Sequence, residues 1–443
     1  MTIENPISVF WFRRDLRLQD NRGLFQALNS NYPVLPIFIF DKSILEPLSD
    51  KKDKRVNFIY DTVERINEDL KKLQASLFIM HDEPLKAFEK LCSGFYVREV
   101  YTNHDYEPYA IKRDKKISEY LQSKEIVFQT FKDQVIFEKD EIVKSDGTPY
   151  SVFTPYSKRW KEKYKVQKPV LYSIKKPEAN FLKSQPFHFP SLKEIGFEKN
   201  DHRIAPREID RQIISSYDKN RNIPALNGTT RLSVHLRFGT VSVRELCEIA
   251  NEQNDQWLNE LIWREFFMMI LYHFPRVVTE SFKIAYDNIP WRNDEKEFNA
   301  WCKGETGYPL VDAGMRELNE TGFMHNRVRM IVASFLTKHL LIDWRWGEAY
   351  FAEKLLDYEL SSNNGNWQWA AGCGCDAAPY FRIFNPTEQT KKFDAGLIYI
   401  KKWIRDFDSY NIHPIVEHEF ARKRALAVYQ KALAEAKNEK SLK

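Results

Sequence analysis

The chain has 443 residues, too many for one ordinary hydrophobic core and enough for two domains. Its formal net charge is only +5 at pH 7, so any contact with nucleic acid depends on a local basic patch. The five cysteines are scattered and odd in number, and no second close pair accompanies Cys373 and Cys375. This pattern excludes a disulfide framework and predicts free thiols, with no metal site. The amino terminus lacks a signal-peptide pattern and no apolar run approaches the ~18 residues of a membrane span, so we expect a soluble, cytoplasmic protein.

The first 132 residues alternate between strand and helix patterns. Short apolar runs rich in β-branched and aromatic residues predict buried strands at 7–12, 34–40, 77–80 and 97–102. Between them, apolar residues at three- and four-residue steps predict helices at 21–28, 56–73 and 85–91. Such alternation predicts a parallel sheet covered by helices. No GxGxxG motif follows a strand, so the usual dinucleotide fingerprint is missing.

The pattern changes after residue 132. Residues 133–207 are rich in lysine and proline with weak periodicity, which predicts a long interdomain linker. Residues 208–430 are helical almost throughout, with clear helices predicted at 243–250, 258–272, 311–318 and 327–341. Beyond Glu417 the chain predicts a solvated terminal helix, and residues 431–443 form a charged tail.

Two polar patterns stand out in the helical part. Residues 228–233 place small hydroxyl side chains at a helix start, which is typical of an ordinary N-cap but also suits phosphate oxygens. Trp257, Glu260, Trp263 and Arg264 recur at three- and four-residue spacing on one helical face. Such a face is costly to bury in a core, and it suits a pocket that stacks a base and hydrogen-bonds its edge.

Two further motifs follow. In residues 324–330, Asn326 and Met330 lie one helical turn apart, with Arg329 on an adjacent face. Residues 357–369 are polar and run into two tryptophans. The turn signal at 363–365 predicts a loop there.

Together with residues 10–21, 150–160 and 357–394, these motifs match the pattern of a known family in the same order. They resemble the photolyase/cryptochrome family, and within it the class I cyclobutane-dimer photolyases, over nearly the whole chain. The resemblance implies an α/β plus all-α architecture, with an N-terminal Rossmann-like antenna domain and a C-terminal helical FAD-binding domain. It also implies a lyase, monomeric in solution, that uses reduced FAD and light to repair pyrimidine dimers in DNA.

The resemblance implies roles residue by residue. Expected flavin contacts are Tyr217, Thr229, Thr230, Arg231, Leu232, Ser233, Trp257, Arg329, Asp357, Glu359 and Asn363. Among them Arg329 and Asp357 form a salt-bridged pair, and Asn363 lies near flavin N5. The lesion pocket consists of Glu260, Trp263, Asn326, Met330 and Trp369, and the catalytic residues are Glu260, Asn326, Met330 and Asn363. The DNA strand contacts Arg221, Arg264, Arg327, Arg382 and Gln389. A chain of indoles carries electrons through Trp291, Trp344 and Trp367.

Three alternatives remain: a signalling cryptochrome without repair, a (6-4) photolyase, and a DNA-binding scaffold without flavin. A cryptochrome usually carries a long C-terminal extension and lacks the repair-type Glu260, and a (6-4) enzyme has histidines where Asn326 and Met330 stand. The antenna is open as well. Glu107 matches an acidic residue that holds a folate, but the lysine of folate-binding relatives is missing. The second chromophore is therefore a folate, a deazaflavin or absent.

Overall fold

The computed structural model describes residues 3–174, 180–201 and 204–441. The contacts between residues divide the chain into two compact units. Unit 1 comprises Met1–Glu138, Lys163–Glu208 and Leu232–Ile249, and unit 2 comprises Lys139–Glu162, Ile209–Arg231 and Ala250–Lys443. Both units draw on the segment 133–207, so the structure divides the chain differently from the predicted linker and domains. Residues 175–179 and 202–203 of the predicted linker, and 442–443 of the predicted tail, lie outside the described residues.

Unit 1 is built on a five-stranded parallel sheet, as the alternating pattern predicted. Its strands are β1 Ile3–Phe12, β2 Val34–Asp41, β3 Phe78–Asp82, β4 Phe95–Asn103 and β5 Val127–Phe131, in the spatial order β3-β2-β1-β4-β5. Every residue of β2 is buried, which explains its continuous apolar run. The edge strand β5 was not predicted, because it is half-exposed and carries polar residues.

Five helices connect and flank the strands. They are α1 Arg22–Leu28, α2 Lys42–Leu45, α3 Lys54–Lys71, α4 Pro84–Gly94 and α5 Pro108–Ser123. The start of α3 is fixed by Asp53, whose side chain accepts hydrogen bonds from two backbone N–H groups of the first turn. Proline occupies the first position of α4 and α5, where no N–H is needed.

The chain after β5 is mostly helical from residue 208 on, as predicted, and it has an α-helix in the segment predicted to be a linker. Its helices are α6 Phe153–Val166, α7 Arg211–Ser215, α8 Tyr217–Asn220, α9 Ser233–Phe238, α10 Val243–Gln253, α11 Asp255–His273, α12 Glu295–Lys303, α13 Pro309–Thr321, α14 Asn326–Ser334, α15 Trp344–Lys354, α16 Leu360–Ala371, α17 Pro386–Phe393, α18 Ile398–Trp403 and α19 His418–Ser441. The helix predicted over 327–341 ends at Ser334 and continues as a π-helical segment, Phe335–His339. A bilayer-spanning helix would need a long apolar stretch, and none of the helices in the part of the chain that the structure describes offers one.

Helix α16 occupies the segment predicted to be a polar loop, and that prediction is wrong. Its amides are satisfied by tertiary contacts, since Asn364 and Gln368 both donate to the backbone oxygen of Val277 at 2.9 Å. Gly365 is required by close packing: a Cβ atom there would lie 2.2 Å from the ring of Phe267 on α11. The glycine that reads as a turn signal therefore marks the contact between two helices. Helix α16 packs against α11, α14 and α15 and lies at the centre of unit 2.

The terminal helix α19 is not a purely solvated helix, nor is the tail after residue 430 wholly exposed. Five small or aromatic residues at three- and four-residue steps are buried: Ala421, Ala425, Tyr429, Ala432 and Ala436. The Tyr429 hydroxyl donates to the backbone oxygen of Ala371 at 3.1 Å. The packed stripe was missed because alanines stand between charged residues and look like part of a polar helix.

A pair of histidines also ties α19 to the rest of unit 2. His339 is completely buried, and its Nε2 lies 2.8 Å from Nδ1 of His418. Burial, together with His418 and Arg424, lowers the pKa of His339 to about 3. The folded protein therefore holds this ring in its neutral form.

We expect the free energy of unfolding to fall as the pH drops from 6.5 towards 3. In this range His339 binds a proton in the unfolded chain but stays neutral in the folded protein. His339→Gln should reduce this pH dependence, since an amide does not titrate. Urea unfolding at a series of pH values measures it. The exposed His413 supplies the control substitution. An unchanged slope in His339→Gln would show that this ring is not the acid-sensitive group.

Candidate functional site

Unit 2 contains a cavity of about 600 Å³, including its open mouth, bounded by α14, α15, α16 and the segment before α16. Eight residues predicted for the flavin, the lesion or electron transfer line it: Asn326, Arg329, Met330, Asp357, Glu359, Asn363, Trp367 and Trp369. Seven more were not predicted: Ala333, Phe351, Leu355, Tyr358, Ser362, Asn366 and Ala370. The cavity brings residues with three predicted roles into one space.

The wall of the cavity holds the Arg329–Asp357 ion pair that the sequence predicted. One terminal nitrogen of Arg329 lies 2.9 Å from Oδ2 and 3.2 Å from Oδ1 of Asp357. The Nε atom of Arg329 donates to the backbone oxygen of Met324 at 2.7 Å, which fixes the guanidinium plane. Only 6% of the Asp357 side chain is exposed. The Arg329 side chain is 25% exposed, so the pair is only partly desolvated. Such a pair contributes little to stability, and it is well placed to orient a ligand.

Asn363 is oriented by a residue that the sequence analysis missed, Glu348 on α15. The Nδ2 atom of Asn363 donates to the backbone oxygen of Glu348 at 3.0 Å and to its Oε1 at 3.2 Å. Because both partners are acceptors, the amide nitrogen must face them, and Oδ1 is the atom that remains for a ligand. Burial raises the pKa of the Glu348 carboxyl group, and the hydrogen bond from Asn363 opposes that rise.

Glu359 and Arg264 form a second buried ion pair. A terminal nitrogen of Arg264 donates to Oε1 of Glu359 at 3.2 Å, and Ser362 donates to Oε2 at 3.1 Å. Only 11% of the Arg264 side chain is exposed. The structure therefore places Arg264 beside a cavity residue, unlike the exposed Arg382 that was predicted with it to contact DNA.

Glu260 lies outside the cavity lining, in a polar cluster at the start of α11. Its carboxylate forms an ion pair with Arg221 and accepts a hydrogen bond from Gln256 at 3.1 Å. Burial raises the pKa of Glu260, and the Arg221 guanidinium opposes the rise. The Arg221 guanidinium also lies 5.8 Å from the ring centre of Tyr217. On the same helix Trp257 is a buried core residue, 5% exposed.

Three arginines predicted to contact DNA repel one another. Burial and the charges of Arg221 and Arg382 lower the pKa of Arg327. Arg327 donates to Oδ1 of Asn222 at 2.6 Å, and its guanidinium lies 4.4 Å from the ring centre of Phe393 on α17. Such a local concentration of positive charge attracts a phosphate backbone. The fifth predicted contact, Gln389, is half-buried on α17.

Trp263 is already stacked on another side chain. Its ring lies flat against Phe153, with centroids 3.7 Å apart and an interplanar angle of 5°. Phe153 belongs to α6, inside the segment predicted to be a linker. A periodicity search could not find this contact, because the two residues are far apart in the sequence.

The three predicted electron carriers lie in or against the same hydrophobic cluster. Trp344 and Trp367 are 1% and 2% exposed, and Trp291 packs against the cluster from a less buried position. The indole nitrogens of Trp291 and Trp344 are buried without a hydrogen-bond partner among the described residues. A fourth indole, Trp301, was not predicted and lies 6.1 Å from Trp367 between ring centres.

The helix start predicted over residues 228–233 is mostly a loop. Helix α9 begins only at Ser233, and Arg231 has a φ of 52°, so residues 229–232 form a loop ahead of the helix. Thr229, Thr230 and Ser233 are half-buried and Leu232 is buried. The Arg231 guanidinium lies 4.8 Å from the ring centre of Phe323.

Glu107, the predicted folate ligand, is engaged within unit 1. Its Oε1 accepts hydrogen bonds from Arg14 at 3.0 Å and from Arg237 at 2.8 Å. The two guanidinium groups neutralise its charge, so Glu107 fits the role of a chromophore ligand less well than the sequence suggested. Over the described ranges, no group of three His, Cys, Asp or Glu side chains is arranged to hold a metal ion.

Two family models match separate parts of this chain, and a curated relative is similar to it over nearly its full length. One family model, described as DNA photolyase, matches residues 8–175, and another, described as the FAD binding domain of DNA photolyase, matches residues 257–423. A deoxyribodipyrimidine photo-lyase from Synechococcus sp. is 36% identical, with 96% of this chain and 97% of the relative covered.

Two solved structures share the fold. A bacterial class III photolyase from Agrobacterium tumefaciens has a TM-score of 0.85 at 30% identity and covers 98% of each chain. An archaeal photolyase from Sulfolobus tokodaii, solved with two FAD molecules, has a TM-score of 0.81 at 32% identity, with 96% of this chain and 99% of that one covered.

Proposed function

The chain belongs to the DNA photolyase family and repairs DNA in the light, and we propose that it splits cyclobutane pyrimidine dimers with an electron from reduced FAD. Residues 257–423 form the family's FAD-binding domain. One observation carries the proposal: residues predicted for the flavin (Arg329, Asp357, Asn363) and for the lesion (Asn326, Met330) line the same cavity. An electron donor and its acceptor held there would lie side by side.

The residues present fit a flavin. The cavity wall supplies the Arg329–Asp357 ion pair, and Asn363 offers Oδ1 as an acceptor. When bound, reduced FAD supplies, after absorbing light, the electron that opens the cyclobutane ring, and it takes that electron back afterwards. We propose that Asn363 accepts a hydrogen bond from the protonated ring nitrogen. Arg329 and Asp357 orient the ring system, and Glu359 holds the ribose side.

The DNA side of the proposal rests on stacking and charge. A dimer has lost normal stacking and pairing, so flipping it out of the duplex costs less than flipping an intact base. Trp263 and Trp369 replace that stacking, Glu260 hydrogen-bonds the base edge, and Asn326 and Met330 contact the dimer. Arg221, Arg327 and Arg382 hold the phosphates, in a way that weakens with salt. No net proton transfer is needed, because the electron enters and leaves the substrate.

Other finer points remain proposals of the same kind. We propose a cytoplasmic, monomeric enzyme of class I, with Thr229, Thr230, Arg231, Leu232, Ser233, Tyr217 and Trp257 as further FAD contacts. The second chromophore remains either a folate, a deazaflavin or absent. Fluorescence emission of the freshly purified protein distinguishes these three cases.

The purified protein should carry one tightly held, noncovalent FAD. The reason is the cavity, whose polar residues Arg329, Asp357 and Asn363 match a flavin in both charge and hydrogen bonding. Denaturation followed by chromatography of the released chromophore measures it. Recovery of FMN alone, or of no flavin from protein reconstituted with FAD, would contradict the prediction.

Trp263→Ala should weaken binding to dimer-containing DNA in the dark, with little effect on undamaged DNA. Aromatic stacking contributes about 1–3 kcal/mol per base, whereas phosphate contacts serve both DNAs alike. Fluorescence anisotropy titrations with the two duplexes give the ratio of dissociation constants. Trp403→Ala removes an indole on α18 and serves as the control. An equal loss on both duplexes would assign Trp263 to the scaffold.

A further inference from the structure

The Trp263 indole is held from one side by α6, a helix that the sequence pattern assigned to a linker. Phe153 begins this helix, and its ring is 9% exposed. The ring lies parallel to the indole at van der Waals distance, with 3.7 Å between centroids. A flat contact of this kind fixes the plane of the indole, because any tilt of either ring would bring the two into collision.

Further contacts fasten α6 to α11, which carries Trp263. The indole nitrogen of Trp160 donates to Oε1 of Glu265 at 2.8 Å, and both side chains are buried. Tyr156, 1% exposed, has its ring centre 5.2 Å from that of Phe266. Near the other end of the contact, Lys161 lies 2.6 Å from Asp255. These contacts follow Phe153 along α6, and together with the stacked rings they hold the first part of α6 against α11.

Asp376 fixes Phe153 from a different part of the chain. Its Oδ2 accepts a hydrogen bond from the backbone N–H of Phe153 at 3.1 Å. This N–H belongs to the first residue of α6 and has no partner within the helix, so the carboxylate takes the place of a cap. Asp376 itself has a φ of 44°, a left-handed conformation that aspartate tolerates better than most residues. It lies six residues before Arg382, so one loop holds both the Phe153 contact and a proposed DNA contact.

We propose that Phe153 is a positioning residue for recognition of the lesion. Its ring sets the plane of the Trp263 indole, and Asp376 holds Phe153 in place. This inference rests on the proposed function, since it assigns Trp263 to the flipped dimer. Phe153 covers one face of the indole, so the base meets a platform whose angle is fixed before the DNA arrives. Recognition then requires no ordering of Trp263 during binding, which favours the damaged DNA.

The test compares Phe153→Leu, which keeps apolar bulk but removes the flat ring, with Phe153→Tyr, which keeps the ring. The readout is the dark dissociation constant for undamaged DNA divided by that for dimer-containing DNA, alongside FAD content and thermal unfolding. We expect Phe153→Leu to lower this ratio at least about fivefold, the lower end of aromatic–base stacking. Phe153→Tyr should leave this ratio close to the wild-type value. Phe298→Leu is the matched control, because Phe298 stacks at 5.8 Å on a different indole, Trp301.

A double-mutant cycle separates positioning from general stability. If Phe153 acts through Trp263, then adding Phe153→Leu to Trp263→Ala should lower the ratio no further. Asp376→Gly keeps the left-handed backbone accessible, removes the acceptor and should reproduce the loss without altering any aromatic ring. It also serves as the test if Phe153→Leu does not fold.

Two results overturn the inference: an unchanged ratio in folded Phe153→Leu or Asp376→Gly protein, or losses that add in the double mutant. A wild-type protein with no preference for dimer DNA would instead refute the proposed function itself.

Discussion

Trp344→Phe is expected to slow photoreduction of the bound flavin by more than an order of magnitude. Trp367 lines the cavity, Trp344 is buried in the same cluster, and Trp291 packs against that cluster from a more exposed position. If the predicted chain carries the electron, an electron from an external reductant passes Trp344 before it reaches the cavity. Phenylalanine fills most of the same space but is much harder to oxidise. Absorbance of the flavin under blue light with an added thiol measures the rate, and dark binding of dimer DNA should be nearly unchanged.

Trp301→Phe supplies a matched control for this experiment. Trp301 is as buried as Trp344 and lies 6.1 Å from Trp367, but it is not on the predicted chain. We expect it to lower stability without slowing photoreduction, whereas Trp291→Phe should slow it. If Trp344→Phe is photoreduced at the wild-type rate in its folded fraction, the indole is only a core residue. The substitution would then only lower the free energy of unfolding, by up to about a few kcal/mol.

No repair of (6-4) photoproducts is expected. That repair must move a hydroxyl or amino group between bases and so needs a proton donor, for which histidine titrates in the right range. At the two positions of α14 predicted to face the lesion, the cavity is lined by Asn326 and Met330, an amide and a thioether, and neither can act as an acid. Illumination of an oligonucleotide that carries only a (6-4) lesion, followed by chromatography, measures the rate.

The neighbouring His325 does not replace the missing acid. It is the N-cap of α14, and its Nδ1 accepts a hydrogen bond from the backbone N–H of Arg327 at 3.1 Å. Burial and the charges of Arg329 and Arg327 lower the pKa of His325 to about 4, so the ring is neutral near pH 7. Repair of a (6-4) lesion at a rate near that for a cyclobutane dimer would contradict the assignment.

Local patterns predicted most of the architecture. Runs such as 34–40 predicted buried strands, because a strand covered on both faces is apolar throughout. The spacing of residues 257–264 predicted the helix α11. Segments that depend on distant partners were missed. Helix α16 looked like a loop because its asparagines are poor helix formers, and its stability comes from contacts such as those of Asn364 and Gln368 with Val277.

In the candidate site, too, residues in local motifs were predicted and residues defined by contacts between helices were missed. The family motifs placed Arg329, Asp357 and Asn363 together, and the structure brings all three to one cavity. Glu348 and Phe153 could not be predicted, because their partners Asn363 and Trp263 lie on other helices and no local spacing links them. A signal for part of the lining was present: residues 359, 362–363, 366–367 and 370 recur at helical spacing, which is the pattern of one face of α16.

Light-driven reversal of a cyclobutane dimer in this cavity can be measured on a defined oligonucleotide. An oligonucleotide with a single thymine dimer is incubated with FAD-loaded, chemically reduced protein, and dimer and restored thymines are quantified in blue light and in the dark. We expect dimers to disappear only in the light, with an equal gain of intact thymine pairs and many turnovers per protein. FAD-loaded, folded protein that binds the oligonucleotide but restores no thymines under illumination would contradict it.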